Sequence, residues 1–203
     1  FPALLLAQSS GNEKKLIEFG WDEPDTAFLR KHSLQMENSP FDGTVFHINY
    51  STRDGRTGVF ATETWGHSKF SEGDVQDAIR DLKATRLQRF KHNFLRFNVT
   101  PGDVDWFEDF ASIASNARLA GKVARIGRAQ GVLFDTETYR QPIFNYQKQK
   151  FRTTRSWQAY AQQARRRGRE LMNSFQREFL GIRILLTFGY EMPWMRCTAR
   201  NIP

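Results

Sequence analysis

The pattern that most limits the fold of this chain is a fourfold alternation of short apolar runs with longer amphipathic segments. A buried parallel strand is a continuous apolar run of about 4–8 residues, whereas an amphipathic helix repeats its apolar residues every three or four positions. The apolar runs occupy residues 15–21, 44–49, 93–99, 131–137 and 182–190. Strands that alternate with helices predict an α/β fold with a parallel sheet and right-handed crossovers.

The four segments between these runs have the features of helices. They begin near Asp25, Ser71, Asp105 and Ser156, and Asp and Ser are residue types that cap helix N-termini. The third segment places apolar residues at spacings of three and four from Trp106 onward, which predicts one buried helix face.

Two architectures fit this order, an open doubly wound sheet and a (β/α)8 barrel. No glycine-rich phosphate loop follows the first run, which weakens the case for a nucleotide-binding open sheet. Polar residues follow several runs, at the strand ends where barrel enzymes keep their chemistry. A complete barrel has eight strands and about 250 residues, and this chain has 203. We therefore expect a (β/α)8 barrel of which only the first five β/α units are present, over residues 13–192, with residues 193–203 unassigned.

Composition narrows the classes of partner and cofactor. Net charge is +8, which can favour nucleic acid. The densest basic cluster is Arg165, Arg166, Arg167 and Arg169, and all but Arg167 fall mostly off the apolar side of the last helical segment. A solvated basic face is therefore the favoured interpretation and nucleic acid an unfavoured partner. A single cysteine, Cys197, excludes a disulfide within the chain. The histidines lack metal-binding spacing, and we predict no catalytic metal and no cofactor.

The first residues bear on localisation. Residues 1–10 are an apolar stretch followed by small residues, a pattern typical of the end of a secretory signal peptide. They predict a signal-peptide remnant and a secreted or periplasmic protein; the other interpretation is a frayed apolar N-terminus. No apolar run approaches the roughly 20 residues of a membrane-spanning helix, so we expect no membrane span.

The fourth run ends in two acids that suit general acid chemistry. Asp135 and Glu137 stand at positions i and i+2, and side chains with this spacing leave a strand on one face. Two carboxylates held close together resist ionising together. A proton held near neutral pH is what general acid catalysis needs. The other interpretation is two acids at an ordinary strand end.

The fourth run and the residue before it also carry a resemblance to a known family. They read Gln-Gly-Val-Leu-Phe-Asp-Thr-Glu, which resembles the fourth-strand signature of chitinase-like glycoside hydrolases, Asp-Gly-x-Asp-x-Asp-x-Glu. Gly131, Asp135 and Glu137 agree with it, whereas Gln130 and Leu133 stand where the family has Asp. The resemblance implies a barrel glycosidase with a carbohydrate substrate. It implies that Glu137 protonates the glycosidic oxygen and that Asp135 orients the substrate and tunes Glu137.

Further candidates for substrate binding lie near the ends of the apolar runs. Aromatic rings can stack on the apolar faces of sugars, and polar side chains can bind sugar hydroxyls. The candidates are Trp21, Asp22, His47, Asn49, Arg96, Asn98, Tyr190 and Glu191. Arg96 could instead form a structural ion pair with Asp22 or Asp135.

The sequence therefore predicts a glycoside hydrolase that acts on a polysaccharide or oligosaccharide by carboxylate general acid/base catalysis. The second carboxylate would be Asp22, Glu191 or a residue outside this chain. Two alternatives remain, a non-catalytic carbohydrate-binding barrel and a basic α/β protein associated with nucleic acid.

Overall fold

The computed structural model describes residues 14–20 and 22–188. The expected signal-peptide remnant at residues 1–10 and the unassigned segment 193–203 lie outside the described residues. The strands are β1 (Ile17–Glu18), β2 (Gly43–Phe46), β3 (Asn49–Ser51), β4 (Thr57–Val59), β5 (Phe94–Asn98), β6 (Gly131–Asp135) and β7 (Arg183–Leu186). The α-helices are α1 (Thr26–Glu37), α2 (Gln76–Ala84), α3 (Ala111–Ile126) and α4 (Trp157–Glu178).

Five of the strands form one parallel sheet in the order β1-β2-β5-β6-β7. The other two, β3 and β4, form a separate antiparallel hairpin between β2 and α2. Because neighbours in the sheet follow one another along the chain, right-handed crossovers place the connecting helices on the same face. The expected α/β class and parallel sheet are confirmed.

The expectation of a (β/α)8 barrel, present as its first five units, is wrong for the residues described. Their sheet has five strands and two edges, β1 and β7, and it does not close. It curls and matches a barrel only in part. The alternation of strands and helices fixes a parallel sheet but not its closure, because the same local pattern serves open and closed sheets.

The face of the sheet that carries the helices is a large apolar core. Phe46, Leu95, Phe97 and Val132 point into it from three strands and are each at most 1% exposed. Helices α2, α3 and α4 close this core with residues at three- and four-residue spacing, which include Ala78, Leu82, Ile113, Ala117, Ala120, Ala124, Leu171 and Phe175. Phe97 stacks edge-on against Phe175 with ring centroids 5.2 Å apart. Burial of these apolar side chains stabilises the packing of the helices on the sheet.

The opposite face has a much smaller apolar cluster. Val45, Phe94 and Leu133 are buried there, and Ile17 packs against them from β1. Further along β5 and β6, the positions on the same face are polar, namely Arg96, Asn98 and Asp135. This face is therefore apolar near the start of the strands and charged near their carboxyl ends.

Glycine is required where backbones meet most closely. A Cβ on Gly131 would lie 1.8 Å from the carbonyl oxygen of Arg183, at the start of the β6–β7 pairing. A Cβ on Gly121 would lie 2.6 Å from the carbonyl oxygen of Phe175, where α3 crosses α4. Larger residues at either position would separate the paired elements.

The structure confirms some of the N-caps that the sequence predicts. Asp25 and Ser156 accept hydrogen bonds from the backbone nitrogens of Phe28 and Ala159, as N-caps do. The proposed cap Asp105 instead lies before α3 and accepts a hydrogen bond from the hydroxyl of Tyr160 at 2.9 Å. It joins the loop before α3 to α4.

Candidate active site

Arg96 is the centre of a buried ionic network at the carboxyl end of the sheet. Its Nη1 donates to Glu23 at 2.9 Å and its Nη2 donates to Asp135 at 2.7 Å. Its Nε donates to the side-chain oxygen of Asn98 at 3.0 Å. Burial lowers the pKa of Arg96, but the hydrogen bonds and charges of Glu23 and Asp135 outweigh this effect and raise the pKa above its ordinary value. The guanidinium therefore remains charged and links the loop after β1 to β5 and β6.

Asp135 ends β6 and is 1% exposed. One carboxylate oxygen accepts from Arg96, and the other accepts from the hydroxyl of Thr187 and from the backbone nitrogen of Glu137, each at 3.0 Å. A polar group that is buried costs free energy unless it has such hydrogen-bond partners. Both oxygens are thus occupied, and Asp135 is held in one orientation.

Glu137 lies two residues beyond the end of β6, in the loop that leads to α4. The hydrogen bond from its backbone nitrogen to Asp135 fixes where this loop begins. Its half-buried side chain has no hydrogen bond or ion pair with any residue that the structure describes. Of the two acids, Asp135 is therefore fully engaged and Glu137 is available.

Glu23 is the site residue that the sequence interpretation missed. Its side chain is 8% exposed. Burial raises the pKa of Glu23, and the hydrogen bond and charge of Arg96 offset only part of this effect. Both pKa values are therefore raised, which disfavours the charged form of Glu23 and favours the charged form of Arg96, whose guanidinium also pairs with Asp135. The signal in the sequence was an acidic turn, Asp-Glu-Pro-Asp, after the first apolar run.

His47 lies next to this network. Its Nδ1 is 3.6 Å from a carboxylate oxygen of Glu23, too far for a normal hydrogen bond. Burial lowers the pKa of His47; the charge of Asp25 opposes this shift and the charge of Arg96 adds to it. His47 is therefore neutral at neutral pH and adds no positive charge there.

An open cavity of about 320 Å³ lies over the network. Arg96, Asp135 and Glu137 line it. Aromatic residues that are about half exposed also line it, namely Phe19, Tyr139 and Phe188. The guanidinium carbon of Arg96 lies 5.5 Å from the ring centroid of Phe19. The cavity thus combines an available carboxylate, a fixed carboxylate and apolar ring surfaces.

The other sequence-predicted residues lie at varying distances from this cavity. Asn98 is buried behind Arg96. Asn49 is exposed at the start of β3 and donates to Asp25 at 3.0 Å, and Asp22 is also exposed. Neither of these two is among the residues that line the cavity. Trp21, Tyr190 and Glu191 lie outside the described residues.

Two further features of the sequence have a place in the structure. Trp65, one of the aromatic residues near the strand ends, is 2% exposed and packs against Trp106 in the core. Arg165, Arg166 and Arg169 are exposed on the outer side of α4. Among the described residues, no cluster of three or more acidic, histidine or cysteine side chains could hold a metal ion. None of the described helices has the length and apolar character needed to cross a membrane.

Comparison of the chain with models of protein families, with curated proteins and with solved structures found no match.

Proposed function

We propose that the protein is a glycoside hydrolase that uses Glu137 as general acid and base on a polysaccharide or oligosaccharide. The observation that carries this proposal is the contrast between the two acids of the cavity. Asp135 is saturated by hydrogen bonds, whereas the carboxylate of Glu137 meets no partner among the described residues. A proton donor has to be free to reach the substrate.

The two carboxylates divide the chemistry between them. Glu137 donates a proton to the glycosidic oxygen while the bond from that oxygen to the anomeric carbon breaks. Positive charge then develops on the sugar ring, and Asp135 at the cavity floor stabilises it. Water completes the reaction: its oxygen adds to the anomeric carbon, and one of its protons passes to Glu137, which acts as the base.

Arg96 supports this division by holding Asp135 in one orientation, with its Nη2 2.7 Å from a carboxylate oxygen. Phe19, Tyr139 and Phe188 give the cavity apolar ring surfaces on which the C–H face of a sugar can stack. The agreement of Gly131, Asp135 and Glu137 with the chitinase-like signature supports the role of Glu137 as the proton donor.

A non-catalytic carbohydrate-binding protein is the second candidate. The observation in its favour is that Arg96 pairs with both Glu23 and Asp135, which is also how a purely structural network satisfies buried charge. In that case the aromatic cavity binds sugar and Glu137 is only a hydrogen-bonding group.

The Glu137→Gln variant separates the two candidates. Release of reducing ends from a panel of polysaccharides, and of chromophore from aryl glycosides, should fall by about 10²–10⁴-fold because the proton donor is lost. Sugar binding should persist because glutamine keeps the shape and polarity of the side chain. The free energy of unfolding of Glu137→Gln, measured by thermal denaturation, should stay within about 0.5 kcal/mol of the wild-type value, as for a substitution that breaks no buried contact.

A matched control is Glu72→Gln, which changes an exposed glutamate that pairs with Lys122 far from the cavity. It should retain the wild-type rate. Sugar binding without hydrolysis by the wild-type protein would favour the second candidate. Hydrolysis by Glu137→Gln at the wild-type rate would show that Glu137 is not the proton donor.

A further inference from the structure

The cavity carries more negative than positive charge. Among its described lining residues Arg96 is the only cation, and Asp135 and Glu137 are both acids. Glu23 lies directly behind Arg96 and shares its charge.

The charge of Arg96 is already shared by two protein carboxylates. Each of its terminal nitrogens donates to a protein carboxylate and its Nε donates to Asn98. The ring of Phe19 lies against the guanidinium. A sugar carboxylate that entered the cavity would meet Asp135 and Glu137, whereas the one cation of the described lining already pairs with two protein carboxylates, so the like-charge contacts are unfavourable.

The aromatic residues of the cavity point to a ligand of the opposite charge. Rings beside carboxylates are a common arrangement for binding ammonium groups, because the face of a ring attracts a cation. Phe19, Tyr139 and Phe188 supply such rings, and all three are about half exposed. The neutral His47 adds no cation nearby at neutral pH.

We propose that the cavity selects saccharides that carry a protonated amine over neutral saccharides, and neutral ones over acidic ones. This proposal rests on the proposed function, since it names the substrate class of the same cavity. The ammonium group would bind beside the carboxylate of Glu137, and the sugar ring would stack on an aromatic residue.

The test is a binding titration of the whole chain with three monosaccharides at pH 6 and low salt: glucosamine, glucose and glucuronate. Monosaccharides have no glycosidic bond to cleave, so binding is measured separately from hydrolysis. Glucosamine should bind about tenfold more tightly than glucose, and glucuronate should bind about tenfold more weakly, as a net charge a few Å away implies. Salt near 1 M should bring the affinity ratios of glucosamine to glucose and of glucose to glucuronate close to one.

Two variants sharpen the test. Glu23→Gln removes one charge while its amide oxygen can still accept from Arg96, and it should reduce the preference for glucosamine to about threefold. Glu108→Gln removes a charge that pairs with Lys150 on another part of the surface, and it should leave the preference unchanged. If Glu23→Gln fails to fold, the salt dependence of the wild-type protein still tests the proposal.

The outcomes separate the two proposals. Equal binding of glucosamine and glucose, tighter binding of glucuronate, or no binding of any of the three would overturn the charge preference, whatever the hydrolysis assay shows. Selective binding of glucosamine in a protein that hydrolyses nothing would uphold the preference and overturn the enzymatic proposal.

Discussion

The two faces of the parallel sheet are built from the same strands but are stabilised differently. The face that packs on the helices is a continuous apolar core with contributions from α2, α3 and α4. The other face has three buried apolar residues, and beyond them the network around Arg96. Along β5 the change occurs between adjacent residues, because Phe97 points to the helices and Arg96 to the cavity. The first face depends on many weak contacts, whereas the second depends on a few ionic ones.

The largest expected effect on stability lies on the helix-covered face. Phe97→Ala should lower the free energy of unfolding by about 4 kcal/mol, because it removes a buried ring and leaves a cavity that its neighbours cannot fill. Chemical denaturation measures the loss. A change below about 1 kcal/mol would mean that this face is not the main stabilising core.

The next effect concerns the ionic network. Arg96→Met should lower the free energy of unfolding by about 3 kcal/mol, since it leaves Glu23 and Asp135 buried without their cation. Adding Glu23→Gln to this variant should recover part of the loss, which a double-mutant cycle measures.

Arg118 provides the control for that network. It forms an exposed ion pair with Glu178, and Arg118→Met should cost less than about 1 kcal/mol. Equal costs at Arg96 and Arg118 would show that burial of the network contributes nothing to stability.

A smaller effect is expected for the apolar floor beneath the network. Leu133→Ala should cost about 2 kcal/mol, at the low end of the range for buried leucine, because Leu133 belongs to a cluster of only three buried residues. Denaturation of Leu133→Ala beside Phe97→Ala tests the contrast between the faces directly. A larger loss at Leu133 would reverse it.

The smallest expected effect is a pH dependence at His47. Its pKa is lowered in the folded protein, so the unfolded chain binds the proton more tightly. Stability should therefore fall as the pH drops below the ordinary value of 6.5. Between pH 5 and 8, the melting temperature of His47→Gln should depend less on pH than that of the wild type. The exposed His67 offers a control, and His67→Gln should behave as the wild type does.

Local sequence patterns predicted the elements well and their assembly less well. Alternating apolar runs predicted the five parallel strands, and the rule that polar residues collect at strand ends indicated Arg96, Asp135 and Glu137, which line one cavity. Closure of the sheet could not be predicted, since closure depends on pairing between distant strands. Glu23 was missed for a similar reason, because its partner Arg96 is 73 positions away and a turn rich in acids looks like solvated surface. Asp105 resembled a helix cap because nothing in the sequence shows that the hydroxyl of Tyr160 reaches it.

The shortness of β1 has a consequence for how the protein moves. This edge strand has two residues, and the loop after it carries Glu23. Edge elements with few hydrogen bonds open locally at low free energy, long before the rest of a domain unfolds. Each such opening would withdraw Glu23 from Arg96 and leave Asp135 as its sole carboxylate partner among the described residues. Amide hydrogen exchange at the β1–β2 pairing would therefore report how often the charge of the cavity changes, while amides of β5 and β6 exchange only on global unfolding.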